Sequence, residues 1–398
     1  MKPHTSLTPE EAHARVLQGI TPGPEEEVPL REALHRVLAR SLPARLEDPR
    51  FNKSAVDGFG VRADDYSEEY ILVGSVTAGD SSCPAIGPGE TVRIMTGARV
   101  PPGVEQVVKF ENCAVEGDRV RIVEPERITN IALQGENIRV GDPLITARRL
   151  LPADIGVLAA QGYETVPVRP RPRVAVIATG DEIYPAGTEL PETGIFDSNS
   201  YQLAAYAADA FAEVTNVGIV RDDLEHLTNV LEDAAARHDV VILSGGVSMG
   251  DLDFVPEALS AIGTEIVFHG LAMKPGRPTL YGERRTRGQV VRFFGLPGNP
   301  VSTAVQFEVL VRPLLWALEG AVYTPRDAML PLAEPFRRRN TDRHEFLPGY
   351  IRDGQVHSLR YTGSGHLTAI TGATLFYRID QGVAALDAGQ DVYVRFIR

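Results

Sequence analysis

The pattern of apolar and polar positions predicts alternating helices and strands in the second half of this chain. An apolar run, VAVIAT (174–179), is followed in turn by helix-like and strand-like segments, of which the last is a long apolar segment at 301–320. Amphipathic helices carry apolar residues at three- to four-residue spacing, whereas fully buried strands are short, continuous apolar runs. Their alternation predicts an α/β domain whose parallel sheet is covered by helices on both faces.

Short strand-like runs dominate the regions on either side. Between about residues 25 and 150 they include YILVGSV, TVRIMTG, EQVVKF and DRVRIV, separated by Gly, Pro and Asp turns. Beyond about residue 320, short β-type runs return, and the sequence ends in QDVYVRFIR. Runs bounded by turn residues in this way predict β-rich domains before and after the α/β domain.

Two shorter segments have patterns of their own. Residues 6–20 predict a short amphipathic helix, with Thr8 as the N-cap, Pro9 in the first turn and Glu11 three residues after the cap. The proline-dense segment VPVRPRPR (166–173) predicts a linker between domains, because consecutive prolines disfavour both helices and central strands.

Charge and composition exclude several classes of protein. A formal net charge of −13 argues against nucleic-acid binding, which needs a basic face to collect phosphates. No apolar run approaches the roughly 18 residues that a membrane span needs, and the N-terminus lacks an apolar signal sequence. Only Cys83 and Cys113 are present, so neither a disulfide framework nor a thiolate metal site is expected. We therefore expect a soluble, cytoplasmic protein without a membrane or nucleic-acid partner.

Unusual loops follow four of the predicted strands. TGDEIYPAG follows VAVIA, SGGVSMGD follows DVVIL, AMKPGRP follows EIVFHGL, and GLPGNP follows VVRFF. In open α/β sheets, ligands bind outside the carboxyl ends of the strands. We therefore expect these four loops to converge on one binding site.

Two of these loops carry groups that suit an anionic ligand. Lys274 and Arg277 bracket a Pro-Gly turn, and Asn299 or Ser302 lies near the start of the long helix. Glycine loops and helix N-termini bind phosphates through their main-chain N–H groups. Taken alone, either loop is more simply a surface turn with incidental charge, so the hypothesis rests on their convergence.

Carboxylates supply the other half of the candidate chemistry. Asp181 and Glu182 follow the first strand of the α/β region, and Asp251 and Asp253 follow a middle strand. Mg²⁺ is held by a few carboxylates together with water or substrate phosphates. The two pairs predict a Mg²⁺ site if they share one edge of the sheet, whereas any single one would be an ordinary cap or turn residue.

Two segments stand out in the N-terminal β-rich region, FNKSAVDGFGVRADD and IMTGARVPPG. In them Asp57 and Thr96 each precede a glycine, which is ordinary turn chemistry. A functional role would require both residues to reach the sheet edge from another domain or another subunit.

The segment GVSMG (246–250) also matches the G-x-S-x-G pattern of a serine nucleophile placed between a strand and a helix. Asp251 and Asp253 oppose that interpretation, because their charge would repel a developing oxyanion. His269 or His366 could complete a triad only by chain order. A serine hydrolase is therefore the weaker alternative.

A series of motifs extends over nearly the whole chain, in the order FNKSAVDGFGVR, IMTGARVPPG, ATGDEI, FDSNSYQL, GIVRDD, SGGVSMGDLDF, MKPGRP, GLPGNPVS and TGSG. On these motifs the chain resembles the molybdopterin molybdenumtransferases of the MoeA type and is similar to the E domain of gephyrin. The resemblance implies an enzyme that takes adenylylated molybdopterin and molybdate, cleaves the pyrophosphate link with Mg²⁺, and yields molybdenum cofactor and AMP. An adenylyltransferase-type activity of the α/β domain and a non-catalytic molybdopterin-binding scaffold are the alternatives.

The resemblance also implies roles for individual residues. Asp57, Thr96, Glu182 and Asp253 match catalytic positions, and Glu182, Asp251 and Asp253 are the implied metal ligands. Lys274, Arg343 and Ser364 match positions associated with molybdate or substrate anions. The full set of implied substrate-binding residues is Gly180, Asp181, Asp222, Ser244, Gly245, Gly246, Ser248, Lys274, Arg277, Pro297, Gly298, Asn299, Pro300, Arg343 and Ser364.

The chain departs from the family pattern at three positions. Asn137 in GENI stands where the family usually has Asp, which removes a charge and should weaken the hold on Mg²⁺ unless Glu136 or Asp142 compensates. Arg277 replaces the more usual Lys and offers an oxyanion a planar, bidentate fork. Pro348 stands where an arginine is common.

The resemblance implies a multidomain fold of class α/β plus β, in an elongated homodimer. It combines a doubly wound α/β catalytic domain, like that of the molybdopterin adenylyltransferases, with β-rich N-terminal domains and a C-terminal β barrel. Asp57 and Thr96 would then face the catalytic domain of the partner subunit, and the adenylyltransferase itself is a candidate partner. The implied domains are a helix at 1–20, an elongated linking domain at 21–45 with 141–170, a β-rich domain at 46–140, the α/β domain at 171–320 and the barrel at 321–398.

Overall fold

A computed structural model describes residues 6–247, 253–286 and 288–397. The chain divides into two compact units. The first, which we call the α/β unit, comprises Met1–Glu26, His35–Val37 and Val168–Arg398. The second, the N-terminal β unit, comprises Glu27–Leu34 and Leu38–Pro167.

The α/β unit is built on a six-stranded sheet. Its strands lie in the order Glu213–Val220, Arg173–Thr179, Val240–Ser244, Gln289–Leu296, Leu280–Thr286 and Glu265–His269. The first four pair in parallel. The prediction of an all-parallel sheet was wrong at the fifth strand, which is antiparallel to both of its neighbours. Its sequence, LYGERRT, is too polar to resemble a buried strand, so the pattern of apolar runs missed it.

Helices cover both faces of this sheet, as the alternating pattern predicts. Val174 and Val176 pack on one face, against the helices Pro9–Val16, Asn199–Asp209 and Pro300–Leu318. Ala175 and Ile177 point to the other face, against the helices Leu224–Arg237 and Val255–Ala261. Successive strand side chains point to opposite faces, and because both faces are covered, the central strands Arg173–Thr179 and Val240–Ser244 are apolar over most of their length. The unit is a doubly wound α/β domain.

The N-terminal helix has the predicted cap. Thr8 Oγ1 accepts a hydrogen bond from the Glu11 main-chain N–H at 3.2 Å, and a Glu11 carboxylate oxygen accepts one from the Thr8 N–H at 2.8 Å. This reciprocal pair satisfies two N–H groups that a helix terminus otherwise leaves unpaired. Ala12 and Val16 are fully buried, which fixes the helix to the core of the α/β unit.

The helix Pro300–Leu318 is the one helix, among the described residues, that is long and apolar enough to cross a membrane. The core buries 83% of its most apolar 18-residue window. Its N-cap residue is Asn299, and it contains a short π-helical stretch, Phe307–Val311. Because the helix is buried on nearly all sides, its composition is that of a central core helix.

The C-terminal part of the α/β unit is a second six-stranded sheet. It contains the strands Met273–Lys274, His344–Arg352, Leu375–Ile379, Asp391–Phe396 and Asp327–Pro331 in that order, with Gln355–Ser358 beside His344–Arg352. Met273–Lys274 pairs in parallel with His344–Arg352. The MKPGRP loop is therefore joined by main-chain pairing to the C-terminal β domain.

The N-terminal β unit contains the predicted short strands. Its largest sheet has the order Gln106–Lys109, Gly58–Val61, Glu90–Ile94, Tyr70–Val76, Arg119–Ile122 and Cys113–Glu116. Smaller two-stranded sheets pair Lys53–Ser54 with Ile131–Ala132 and Leu42–Pro43 with Pro143–Ile145.

The sequence pattern missed two elements of the N-terminal β unit. The helix Pro152–Ala160 begins where the Asp154 carboxylate accepts a hydrogen bond from the Leu151 N–H at 2.8 Å. The strand Thr165–Val168, inside the predicted proline-rich linker, pairs with Glu26–Pro29 in a two-stranded sheet. Proline is tolerated there because each strand of a two-stranded sheet has one unpaired edge.

Candidate active site

The carboxyl ends of four strands lie at one edge of the α/β sheet, because Glu265–His269 runs in the same direction as the parallel strands. The loops that follow those strands are the four that the sequence predicts to converge. A cavity of about 520 Å³ opens at this edge. Its lining includes residues from three of the loops, from the start of the helix Asn199–Asp209 and from the TGSG segment: Thr179, Glu182, Asn199, Ser244, Gly245, Gly298, Asn299, Pro300 and Gly365.

Gly245 lines this cavity, and together with the next residue, Gly246, it forms a segment that we call the glycine floor. Gly245 and Gly246 have φ values of +95° and +61°, a region that side chains disfavour. A Cβ on Gly245 would overlap the main-chain carbonyl of Thr179, and one on Gly246 would lie 2.9 Å from the Thr179 hydroxyl oxygen. Both positions therefore require glycine, and the absence of side chains keeps the loop open to a ligand. Gly180, on the neighbouring loop, also has a positive φ, of +144°.

The Asn199 side chain forms hydrogen bonds to two of the loops that line the cavity. Its Nδ2 donates to Ser244 Oγ and to the Gly298 carbonyl oxygen, both at 2.7 Å. The Gly298 carbonyl can only accept, so it fixes which end of the amide faces it. The sequence analysis quoted the motif FDSNSYQL but assigned no role to Asn199, because nothing local indicates that it reaches two distant loops.

Two buried polar atoms of the lining have no hydrogen-bond partner among the described residues. They are Thr179 Oγ1 and Asn199 Oδ1. Buried polar groups are almost always paired, and leaving one unpaired costs about 1–3 kcal/mol. Such atoms are typical of a site that is completed by a polar ligand or by water.

Several carboxylates lie close together in the loops at this edge of the sheet. Asp222 exchanges hydrogen bonds with Asp181 through their main-chain N–H groups, at 3.3 and 3.4 Å. Burial, followed by the negative charges of Asp181, Glu182 and Asp253, raises the pKa of Asp222. Asp223, the neighbouring acid, instead caps the helix Leu224–Arg237 by accepting from the His226 N–H. Asp181, Glu182 and Asp253 are therefore all close enough to Asp222 for their charges to affect it.

No three Asp, Glu, His or Cys side chains within the described ranges form a cluster that could hold a metal ion by themselves. The predicted ligand Asp251 and the predicted substrate-binding residue Ser248 lie outside the described residues. A divalent cation at this edge would take one or two carboxylates and complete its shell with ligand oxygens and water, which is the usual manner for Mg²⁺.

The GLPGNP loop places Ser364 beside the cavity. Asn299, the first residue before the long helix, donates from Nδ2 to Ser364 Oγ at 3.0 Å, and the Val301 N–H donates to the Ser364 carbonyl at 3.0 Å. Pro300 occupies the first turn of the helix, and the Pro297 carbonyl accepts from the Thr303 hydroxyl at 2.8 Å. These contacts explain why the start of the helix and the TGSG segment, whose Gly365 lines the cavity, lie side by side.

The MKPGRP loop is anchored on the same helix. Gln306 is fully buried, and its side-chain Nε2 donates a hydrogen bond to the Pro275 carbonyl at 3.1 Å. Gly276 has a φ of +107°, and a Cβ at this position would clash with the Gln306 amide. Lys274 then pairs with Glu345, with 2.7 Å between Nζ and Oε1. The Arg277 side chain is exposed, and Arg343 lies two residues before Glu345.

Asp57 and Thr96 contact each other within the N-terminal β unit. The main-chain N–H and the hydroxyl of Thr96 both donate to Asp57 Oδ1 at 2.7 Å. These two hydrogen bonds, the hydroxyl first, lower the pKa of Asp57. Two of the four residues that the resemblance assigns to catalysis thus form one exposed acid–hydroxyl pair.

Asn137 also has an acidic partner in this unit. Its Nδ2 donates to Asp48 Oδ2 at 2.9 Å. The two residues expected to compensate for the missing charge are engaged elsewhere: a Glu136 carboxylate oxygen accepts from the Leu133 N–H, and one of Asp142 accepts from the Arg139 N–H. The carboxylate in contact with position 137 is therefore that of Asp48.

The histidines that a serine hydrolase would require are also engaged. His269 Nε2 lies 2.8 Å from the Val247 carbonyl, and His366 Nδ1 lies 3.3 Å from the Thr362 hydroxyl. Among the described residues, neither histidine is paired with a carboxylate in the manner of a catalytic triad.

Three family models match successive parts of the chain. They describe a MoeA N-terminal region (domain I and II) at residues 7–162, a probable molybdopterin binding domain at 175–317, and a MoeA C-terminal region (domain IV) at 330–397. Together with the doubly wound fold and its glycine-lined cavity, these matches define a multidomain protein of the molybdopterin-binding class.

Similar proteins narrow that class. The molybdopterin molybdenumtransferase of Staphylococcus aureus is 35% identical over 340 residues, which cover 83% of this chain and 80% of that protein. The one of Staphylococcus epidermidis is 34% identical over 347 residues, covering 84% and 82%. A solved MoeA molybdopterin biosynthesis protein from Pyrococcus horikoshii has a TM-score of 0.85 at 31% identity, covering 99% of this chain and all of that one.

The chain belongs to the MoeA family of molybdopterin molybdenumtransferases. It is therefore a transferase of molybdenum cofactor biosynthesis, and its substrate is related to molybdopterin. The family resemblance, the fold class and the class of enzyme expected from the sequence are confirmed.

Proposed function

We propose that this protein inserts molybdenum, supplied as molybdate, into adenylylated molybdopterin, and that cleavage of the pyrophosphate link releases AMP. The cavity at the carboxyl edge of the α/β sheet carries this proposal. A volume of about 520 Å³ is within the range of small-molecule sites. Its floor of consecutive glycines presents main-chain groups to a phosphorylated ligand, and its edge carries carboxylates.

The glycine floor and the buried polar atoms suit the two ends of such a substrate. We assign Gly245, Gly246 and Ser248 to a cradle for the pterin or phosphate end, with Gly180 and Gly298 beside it. The unpaired Thr179 and Asn199 oxygens support a ligand that carries N–H donors, and a pterin carries them on its ring and its amino group.

The carboxylates suit a bound Mg²⁺. Asp222 experiences the charges of Asp181, Glu182 and Asp253 together, and neighbouring carboxylates of this kind attract a divalent cation. We assign Glu182, Asp251 and Asp253 to the metal, with Asp253 as the leading catalytic carboxylate. When bound there, Mg²⁺ would neutralise charge on the phosphate oxygens during their cleavage.

Cations and a hydroxyl near the long helix suit the molybdate oxyanion. We assign Lys274, Arg277, Arg343 and Ser364 to it. Charged donors bind tetrahedral oxyanions through short hydrogen bonds. The contact of Ser364 with Asn299 at the helix start, and the pairing of the Lys274 strand with the strand that follows Arg343, support this assignment.

We further propose a cytoplasmic homodimer whose domain bounds are those expected from the sequence. Asp57 and Thr96 would act on the catalytic domain of the partner subunit, so the isolated monomer would be inactive. Sedimentation combined with the activity assay tests this point, because a fully active monomer would contradict it. A molybdopterin adenylyltransferase is the proposed supplier of the adenylylated substrate.

Product analysis distinguishes this function from its alternatives. Release of AMP from adenylylated molybdopterin in the presence of molybdate is expected for the insertion enzyme. Release of pyrophosphate from ATP and molybdopterin would instead indicate an adenylyltransferase, and binding without either product would indicate a scaffold. Asp253→Asn should abolish most AMP release, and full release by this variant would overturn the role of Asp253.

A further inference from the structure

We propose that Glu345 is a fixed counter-ion in the oxyanion-binding part of the site, and that its negative charge weakens anion binding at Lys274. The inference rests on the proposed function, because it concerns the cations assigned there to molybdate. Glu345 is assigned to neither the substrate nor the metal in the proposed function. The inference adds it as a residue that determines how tightly the site binds an anion.

The contact between Lys274 and Glu345 is fixed by the main chain. The strands Met273–Lys274 and His344–Arg352 pair in parallel with Lys274 and Glu345 as Cα partners. Lys274 Nζ lies 2.7 Å from Glu345 Oε1. The lysine side chain is 56% exposed and the glutamate side chain only 7%. One face of the ammonium group is thus held by the carboxylate, and the other faces solvent, where an anion can reach it.

Glu345 is held in place on its other side by Arg338. Arg338 Nη1 lies 3.3 Å from Glu345 Oε2, and both side chains are 7% exposed. The same guanidinium donates to the carbonyls of Arg343 and Val383, at 3.0 and 2.7 Å. A buried carboxylate with two cationic partners and a fixed main chain cannot turn away when an anion arrives. Its charge is therefore a permanent part of the site.

The field of this carboxylate extends towards the Ser364 loop. Tyr361 lies three residues before Ser364, and burial followed by the negative charge of Glu345 raises the pKa of Tyr361 to about 12. Tyr377 shows the same direction, chiefly from burial with a further contribution from Glu345. An anion held between Lys274 and Ser364 would experience the same negative field.

The geometry gives the size of the effect. An anion that accepts a hydrogen bond from Lys274 at about 2.8 Å lies within about 5.5 Å of Glu345 Oε1, because the ion pair itself spans 2.7 Å. At that distance, in a medium close to water, one unit charge changes a binding constant by a factor that ranges from roughly three for a monoanion to roughly ten for a dianion. A dianion such as molybdate experiences the larger end of this range, and a monoanion of the same shape the smaller.

The direct test is anion binding by Glu345→Gln, measured by isothermal titration calorimetry with molybdate and, separately, with monovalent perrhenate. Glutamine keeps an oxygen that can accept from Lys274 but removes the charge. We expect molybdate to bind about tenfold more tightly than to the wild type, and perrhenate only about threefold more tightly. A residue that only positioned Lys274 would leave binding unchanged or weaker, and the gain would not depend on anion charge.

Glu283→Gln is the matched control. Glu283 is also a largely buried carboxylate paired with an exposed arginine, Arg285, but it lies in the α/β sheet strand Leu280–Thr286. The variant has the same net charge as Glu345→Gln, so unchanged molybdate affinity is expected. An equal gain in both variants would show that only the net charge of the protein matters and would overturn the proposal.

A second variant covers the case in which Glu345→Gln does not fold because Arg338 loses its counter-charge. Glu345→Asp keeps a carboxylate for Arg338 and withdraws it from Lys274 by about one carbon–carbon bond, so about twofold tighter binding is expected. Equal or weaker binding by folded variants overturns the role of Glu345 alone. A wild-type protein that binds no molybdate overturns this role together with the proposed oxyanion site.

Discussion

Asn199→Asp tests the packing of the cavity floor with an almost isosteric change. In the wild type, Nδ2 of Asn199 donates to Ser244 Oγ and to the Gly298 carbonyl, both at 2.7 Å. The Ser244 hydroxyl can rotate and donate to a carboxylate, but the Gly298 carbonyl cannot, so an oxygen would face an oxygen at this distance. Asn199 is only 9% exposed, so an introduced charge would also be poorly solvated.

The expected loss is worked from these two effects. An unsatisfied buried carbonyl costs about 1–3 kcal/mol, and an unpaired buried carboxylate adds a further penalty. We expect the variant to lose about 3–5 kcal/mol of unfolding free energy at pH 8. Burial and the facing carbonyl raise the pKa of the introduced carboxyl in the folded state above its unfolded value near 4. The deficit should therefore be small near pH 4 and grow as the pH rises through the raised pKa.

The only tryptophan of the chain provides the assay. Trp316 packs against the core of the α/β unit, so its fluorescence in urea follows the unfolding of that unit. Asn340→Asp is the control, because Asn340 is exposed and its Oδ1 only accepts, from the Asp342 N–H at 2.9 Å. We expect the control to match the wild type within about 0.5 kcal/mol. A loss below about 1 kcal/mol for Asn199→Asp, or one independent of pH, would refute the two hydrogen bonds.

Three further predictions concern the glycine floor and the N-terminal β unit. Gly245→Ala should weaken ligand binding, measured by calorimetry, at least about tenfold. The added Cβ would overlap a main-chain carbonyl, and position 245 has a positive φ that alanine disfavours. Unchanged affinity would show that the glycine floor is adaptable. Asn137→Asp places a second carboxylate against Asp48, so it should lower the thermal midpoint of unfolding at pH 8 but change it little near pH 4. Circular dichroism measures this midpoint, and a higher midpoint at pH 8 would contradict the contact. Thr96→Val should raise the pKa of Asp57 towards its ordinary value, measured by carboxyl NMR, because the hydroxyl is the largest cause of the lowered pKa; an unchanged pKa would mean that the main-chain N–H suffices.

The sequence predicted the edge of the sheet where the cavity lies, because that edge follows from local patterns alone. Each strand such as Val240–Ser244 is a short apolar run, and the loop after it carries the unusual residues. Once the strands are parallel, the loops must meet. The need for glycine at 245 and 246 follows from the same pattern, because the chain must turn sharply between strand and helix.

Contacts between distant segments could not be predicted in this way. The pair Lys274–Glu345 depends on a two-residue strand joining a sheet of the C-terminal β domain. The bridging role of Asn199 depends on two loops that only the folded sheet brings together. The antiparallel strand Leu280–Thr286 is stabilised by its neighbours rather than by its own polar sequence, so tertiary context decided its structure.

The most direct test of the proposed function is the amount of molybdenum bound to the pterin product for each AMP released. Purified protein, adenylylated molybdopterin, Mg²⁺ and molybdate would be incubated together, with AMP measured by chromatography and molybdenum in the pterin fraction by elemental mass spectrometry. We predict about one molybdenum per AMP, and none when molybdate is omitted. Release of AMP without incorporation of molybdenum, or no release of AMP by the intact protein, would contradict the proposed function.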